Sequence, residues 1–255
     1  MNLKNLQYCS DLHLEFPMNK QFMLKNPIVP KSEVLILAGD IVPFHLMEQQ
    51  NDFFSYISDH FRMTYWIPGN HEYYNNDISK RIGSFQENIR NNIVLLNNKT
   101  IIEDNTALLF STLWTKINPL QELKIQHGMN DFRIIRNGEE RFTPRDCTQF
   151  FEENIHFISN EIATHADLNK VVVTHHVPTF QNYPKEYLGS SLNSAFAVDL
   201  NGFIEKSNVD AWIYGHHHRN RAEFKIGNTA MCTNQLGYVQ ANEHRKFKQN
   251  KTIKL

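Results

Sequence analysis

The sequence predicts an α/β protein with a mixed β-sheet arrangement, and three observations carry that expectation. Short, continuously apolar runs end abruptly in Gly, Asp, Asn or His, helix-like segments separate them, and two stretches punctuated by Asn, Asp and Gly turn back on themselves. Continuous rather than alternating apolar character belongs to strands covered on both faces, by helices or by a second sheet.

The elements follow in chain order. Residues 3–9 read as a first strand, residues 34–38 as a second before Gly39-Asp40, and residues 64–67 as a third before Pro68-Gly69-Asn70. Residues 171–173, before Thr174-His175, and 211–214, before Gly215-His216, repeat the arrangement. Helix-like segments cover residues 47–59, 76–90 and 143–166, the last opened by Thr143-Pro144 with Asp146 in its first turn. Residues 99–111 and 221–233 read as hairpins. Candidate site residues run from Asp11 to His218, so a division would split the site, and residues 1–255 are expected to form one domain.

Composition narrows the function classes. With 255 residues, 41% of them hydrophobic, the chain can bury a sizeable core. The 26 Lys and Arg nearly balance the 27 Asp and Glu, so no overall field attracts a nucleic-acid backbone or an anionic membrane. The one basic run, Arg245, Lys246, Lys248, Lys251 and Lys254, reads as a solvated terminal segment. Cys9, Cys147 and Cys232 fit neither a disulfide framework nor a Cys-x-x-Cys zinc module, which suits a reducing compartment. The first residues lead into a strand without a signal-peptide pattern, and no apolar run reaches membrane-spanning length, so a cytoplasmic protein without a membrane partner is expected.

Five blocks carry chemistry. In Ser10-Asp11-Leu12-His13, an extended backbone would send Asp11 and His13 to one side. Ala38-Gly39-Asp40 places a carboxylate just past a buried strand, where glycine leaves room for close approach. Either block alone is ordinary: a surface pair or a turn residue explains it. Pro68-Gly69-Asn70-His71-Glu72 is more specific, setting an amide oxygen beside an imidazole at a strand end. Thr174-His175-His176-Val177-Pro178 and Gly215-His216-His217-His218 add imidazoles, the commonest transition-metal ligands, and several at strand ends are hard to explain as packing. Alternation puts His216 and His218 on one face and turns His217 away, while His176 reads as a hydrogen-bonded residue that orients a neighbour.

The order Asp-x-His, Gly-Asp, Gly-Asn-His-Glu, Thr-His and Gly-His-x-His resembles the calcineurin-like metallophosphoesterase superfamily. The resemblance implies a four-layer α/β/β/α sandwich of two mixed β-sheets flanked by helices. It implies one metal held by Asp11, His13, Asp40 and His218, and a second, bridged by Asp40 and completed by Asn70, His175 and His216. His71 would stand beside the metals as the catalytic residue that stabilises or protonates the leaving oxygen. The family often has Asp where this chain has Glu72, and Thr where it has His217; neither change removes a ligand. Thr112-Leu113-Trp114, Met129-Asn130-Asp131-Phe132-Arg133 and the Pro144-containing helix start also look like one bacterial branch of the superfamily. Arg133 can clamp a phosphate with two parallel donors, although a surface salt bridge is the favoured reading of it, and Asn130 joins it as a substrate-binding candidate.

The chemistry expected from this set is hydrolysis of a phosphomonoester or phosphodiester by a hydroxide that two cations activate. Four imidazoles and a bridging carboxylate suit Mn, Fe, Zn or Ni better than Ca, with Mn favoured. The partner expected is a small phosphorylated substrate rather than a nucleic-acid polymer. Two alternatives are a non-catalytic metal-binding scaffold with the same fold and a mononuclear zinc hydrolase or metal store. The long connections 111–141 and 177–197 are expected to rim the cleft, where Trp114, Phe180, Tyr183 and Tyr187 either stack on a base or aryl group or pack the loops onto the body.

Overall fold

The computed structural model describes residues 4–255, so Leu3, the start of the expected first strand, lies outside the described residues. The first half of the chain runs β1 (Asn5–Cys9), α1 (Pro17–Lys25), β2 (Val34–Ala38), α2 (Asn51–His60), β3 (Met63–Ile67), β4 (Phe85–Arg90) and β5 (Ile93–Asn97). There follow β6 (Lys99–Glu103), β7 (Thr106–Phe110), α3 (Glu122–Gly128), α4 (Asp131–Ile134), and a short ladder of β8 (Arg136–Asn137) and β9 (Glu140–Arg141). The rest is α5 (Pro144–Thr164), β10 (Asn169–Val173), α6 (Asn201–Lys206), β11 (Ala211–Ile213), β12 (Phe224–Ile226), β13 (Thr229–Cys232) and β14 (Thr252–Lys254).

The strands form two 6-stranded sheets, ordered β14-β1-β2-β3-β5-β4 and β12-β13-β11-β10-β7-β6. In each sheet the central strands run parallel and both edge strands antiparallel, so both sheets are mixed. The period of two along each strand decides the layering. Leu6, Val34 and Ile36 of one sheet share a buried cluster with Leu108, Val171 and Ile213 of the other, so the sheets pack face to face. The rings of Tyr65 and Phe110 meet across that layer with centroids 5.3 Å apart. The alternate residues, such as Leu35, Trp66, Val172 and Trp212, belong instead to a cluster with Phe54 and Ile57 of α2, Phe151 and Ile158 of α5, and Ile204 of α6. Each such side chain taken fully out of water contributes roughly 1.5–3 kcal/mol. Helices therefore flank the paired sheets, as the family resemblance implied.

Several expected elements stand where the sequence placed them. α5 opens with a capping box in which the Thr143 hydroxyl accepts from the Asp146 amide and the Asp146 carboxylate accepts from the Thr143 amide. The hairpins appear as β6–β7 and β12–β13. Two expectations are corrected. Residues 76–90 are not a helix: a single 3₁₀ turn (Ile78–Lys80) gives way to Gly83 at φ 69°, and β4 then pairs antiparallel with β5. The C-terminal basic segment is not merely solvated: β14 pairs with β1, Phe247 and Ile253 are buried, and Lys251 bonds Glu223 at 2.5 Å.

Candidate metal centre

Parallel central strands send their carboxyl ends to one end of the sheets, and the loops that leave them carry the polar blocks. Asp11 and His13 follow β1, Asp40 follows β2, Asn70 and His71 follow β3, His175 follows β10, and His216 and His218 follow β11. The backbone reaches these positions by a different route from the one alternation suggested. Asp11, His13, Asp40, His216 and His218 are not extended but left-handed, with φ of 55°, 47°, 55°, 79° and 55°.

Among the described residues two sets of donors converge on the block residues, with the atoms in each set within 4.8 Å of one another, Asp11, His13, Asp40 and His218 in one and Asp40, His175 and His216 in the other. A third group of the same compactness, His13, Glu15 and His71, lies beside the first. In the first, Nε2 of His13 lies 2.9 Å from Nε2 of His218, and the latter lies 3.3 Å from Oδ1 of Asp11. In the second, Nε2 of His175 lies 3.4 Å from Oδ2 of Asp40, 3.2 Å from Oδ1 of Asn70 and 3.1 Å from Nδ1 of His216. Asp40 Oδ2 also lies 3.7 Å from His13 Nε2, so this one carboxylate faces both sets. The arrangement fits cations. Ring nitrogens, carboxylate oxygens and an amide oxygen turn inward on shared points, more acceptors than the imidazole protons can satisfy. Glycines make the space: a Cβ on Gly69 would overlap Asp40 Oδ1, and one on Gly215 would lie 2.6 Å from Asp11 Oδ2.

A surrounding set of hydrogen bonds fixes which atom each donor presents. Asn70 Nδ2 donates to Asp131 Oδ1 at 3.0 Å, and Tyr74 donates to the same oxygen at 2.7 Å, which turns Asn70 Oδ1 toward His175. Glu72 binds the second and third blocks together, accepting from the amides of Gly69 at 2.7 Å, Asp40 at 2.9 Å and Ile41 at 2.7 Å, and from Trp66 Nε1 at 3.1 Å. Glu243 receives Nδ1 of His218 at 2.8 Å and Nη1 of Arg219 at 2.9 Å. Glu15 faces His71 Nδ1 at 2.9 Å and His13 Nδ1 at 3.3 Å. With Nδ1 so engaged, His71 turns Nε2 toward the cavity, 3.4 Å from the Tyr238 hydroxyl.

Sequence reasoning gave no role to Glu15, Tyr238 or Glu243, and none to Asp131 although it stands in the Met129–Arg133 motif. Glu15 had a local signal, since it continues Asp-x-His to Asp-x-His-x-Glu.

The electrostatics follow these contacts. Burial opposes charge on His71, but Asp40 and then Glu15 raise its pKa above the ordinary imidazole value. Burial likewise opposes ionisation of Glu15, yet its hydrogen bonds to His13 and His71 hold the carboxyl down at about 2. Burial pushes His176 and His217 down to about 3, so both are neutral. His176 directs Nδ1 at the Thr112 carbonyl, 3.3 Å away, and packs on the rings of Trp114 and His216. His217 accepts at Nδ1 from the Arg219 amide at 3.1 Å; it is buried at the cavity wall rather than turned to solvent.

A cavity of about 450 Å³ opens over the donors. Asn130, Tyr183 and Tyr187 line it, and the connections 111–141 and 177–197 both contribute to its rim. Three expected contributors do not reach it. Arg133 is exposed and donates to the His127 carbonyl, Trp114 is buried against Phe142, and Phe180 packs on Tyr183.

Comparison with known proteins agrees with this geometry. The sequence profile of the calcineurin-like phosphoesterase family matches residues 8–220. The uncharacterized protein L509 of Acanthamoeba polyphaga mimivirus is 32% identical over 275 residues, a match covering 96% of this chain and 94% of that one. The solved structure of the phosphopantetheinyl hydrolase PptH from Mycobacterium tuberculosis is similar in fold, with a TM-score of 0.70 at 16% identity over 100% of this chain and 97% of that chain. Among the described residues no helix is long and apolar enough to cross a membrane. With its profile match spanning all the converging donors, the chain belongs to the calcineurin-like phosphoesterase family.

Proposed function

We propose that this protein hydrolyses a small phosphate ester at a two-metal centre. Asp11, His13, Asp40 and His218 hold one cation, and Asp40, Asn70, His175 and His216 hold the other. The observation that carries this reading is Asp40, whose Oδ2 faces donors of both sets, His13 at 3.7 Å and His175 at 3.4 Å. Bound cations of this kind supply hydroxide at neutral pH and offset the charge on the phosphate oxygens. Imidazole, carboxylate and amide donors together suit Mn, Fe, Zn or Ni, and Mn is the first to try.

The protein's own groups do the rest. Glu15 holds the Nδ1 side of His71, which leaves Nε2 free to pass a proton to the departing oxygen. Asp131 and Tyr74 keep the Asn70 amide from flipping. The buried setting keeps bulk water from competing for these donors.

Elemental analysis and turnover of p-nitrophenyl phosphate and bis-p-nitrophenyl phosphate, with and without added Mn, test the reading. Two metals per chain and metal-dependent hydrolysis are expected. His71→Ala should keep both metals and lose on the order of 100-fold or more in kcat, whereas Asp40→Asn should lose metal. One metal per chain with no hydrolysis of either ester would overturn the reading, and equal activity of wild type and His71→Ala would remove His71 from it.

A further inference from the structure

The metal centre occupies one end of a cavity much larger than a phosphoryl group needs. Beyond the donors, Tyr74, Tyr183, Tyr187 and Phe196 form the aromatic part of its wall, beside the uncharged polar side chains of Asn130 and Asn193. Among the described residues no Lys or Arg lines it, and the one Glu that does, Glu243, is paired with His218 and Arg219. Arg219 packs behind the wall, 5.6 Å from the Tyr187 ring, but it is committed to Glu186 at 3.0 Å and Glu243 at 2.9 Å.

A lining of this kind separates substrate classes. A second phosphate, or any anion beyond the one at the metals, would leave water for an aromatic wall that offers no counter-charge. A flat uncharged group finds the opposite: ring faces that recover its buried area and stack on it. The rings are already braced. Tyr74 stacks on His71 with centroids 4.0 Å apart and planes at 28°, and Phe196 stacks on His216 at 4.8 Å and 30°. The aromatic surface therefore continues directly from the group beside the metals and from a metal donor, so a ring carried by the leaving oxygen meets it without rearrangement.

We propose that this wall is a subsite for an uncharged aromatic leaving group of up to nucleoside size, and that the substrate carries a single phosphate. The proposal rests on the reading of the metal centre as a phosphate-ester hydrolase. In the step concerned, a water molecule gives up one proton to solvent as its oxygen bonds to phosphorus, and the bond from phosphorus to the ester oxygen breaks with its electron pair staying on that oxygen. His71 protonates the oxygen and regains a proton from solvent, releasing an aromatic alcohol from the subsite.

The test compares kcat/KM of the Mn-loaded protein for adenosine 5′-monophosphate, benzyl phosphate, glycerol 1-phosphate and adenosine 5′-diphosphate, with calorimetric titration of adenosine alone. Benzyl alcohol and glycerol are leaving groups of similar basicity, so a preference between their esters reports binding. The diphosphate has the chemically better leaving group, so a preference against it also reports binding. The adenosine monophosphate or benzyl phosphate value should exceed both the glycerol phosphate and diphosphate values at least fivefold, and adenosine should bind. Smaller ratios overturn the subsite while leaving the hydrolase reading intact. Adenosine binding without hydrolysis of any ester supports the subsite and overturns the hydrolase reading; neither binding nor hydrolysis overturns both.

Two variants complete the test. Tyr187→Ala should lower the benzyl-to-glycerol ratio about tenfold, and an unchanged ratio counts against the subsite. Ser190→Lys adds a cation at an exposed position on the wall and should raise the diphosphate-to-monophosphate ratio about tenfold. A misfolded protein cannot produce that gain, and its absence in a folded variant overturns the charge argument.

Discussion

Asp11, His13, Asp40, His216 and His218 all hold positive φ, a region that costs a non-glycine residue of order 1–3 kcal/mol. The surroundings over-determine them: the Asp11 carboxylate accepts from the His216 amide at 3.0 Å, the His218 amide donates to Gln235 at 2.6 Å, and Asp40 accepts from the His71 amide at 2.9 Å. Space is fixed as tightly. In Gly69→Ala the new methyl would overlap Asp40 Oδ1 and lie 2.7 Å from the His175 ring. Displacing donors by about 1 Å costs on the order of 100-fold in rate, so this variant should lose metal and that much turnover while its circular dichroism matches wild type. Asp131→Ala acts more gently, releasing the Asn70 amide to flip, and metal titration should show affinity weakened by about 10–100-fold. The donors themselves were legible because five short blocks occur in one order. Their orienting partners were not: Glu15 matters only because folding brings His71, Asp131 because it brings Asn70, and Glu243 because it brings His218. The left-handed turns were likewise invisible, since neither Asp-x-His nor His-x-His requires positive φ.

At the scale of elements, legibility followed burial. The strands that end in chemistry are apolar on both faces, and runs such as Val34–Ala38 and the apolar part of β10 announce themselves without knowledge of their neighbours. Edge strands do not. In β4, half-buried Phe85, Glu87 and Ile89 alternate with exposed Gln86 and Asn88, a pattern too polar to stand out; it becomes a strand because β5 offers an unpaired edge. β14 spans three residues and hides in a basic terminus, yet it registers Ile253 opposite Leu6 of β1. That pairing makes the C-terminus a structural part of the sheet behind Asp11 and His13. Ile253 is 8% exposed at a sheet edge, so Ile253→Ala belongs at the low end of core truncations. Urea unfolding should show a loss of about 2 kcal/mol, and an unchanged midpoint would return the segment to the role of a solvated tail.

The whole molecule sets the fate of the thiols. Cys9, Cys147 and Cys232 are unpaired and buried in three different places: the end of β1, the first turn of α5 and the end of β13. Burial raises all three pKa values above the ordinary thiol range, Cys147 and Cys232 to about 12. The folded protein therefore presents neutral, inaccessible thiols at pH 8, where the unfolded chain presents partly ionised and reactive ones. For a group whose folded pKa is raised, the stabilisation is complete below the unfolded pKa, about 8.5 for a thiol, and fades as pH rises toward the folded value. Above pH 9 the unfolded chain releases protons that the folded chain keeps, at up to about 1.4 kcal/mol per pH unit for each thiol. The urea midpoint should therefore fall steadily between pH 8.5 and 11. Replacing Cys147 by Ser should flatten that slope, even if the hydroxyl lowers stability at neutral pH. The companion measurement is titration with 5,5′-dithiobis(2-nitrobenzoate) at pH 8: no thiol should react on the timescale of minutes in buffer, and all three should react in urea. Rapid reaction of even one thiol in the native protein would show that the layer around it opens readily, and the alkaline slope would then have to be shared out differently.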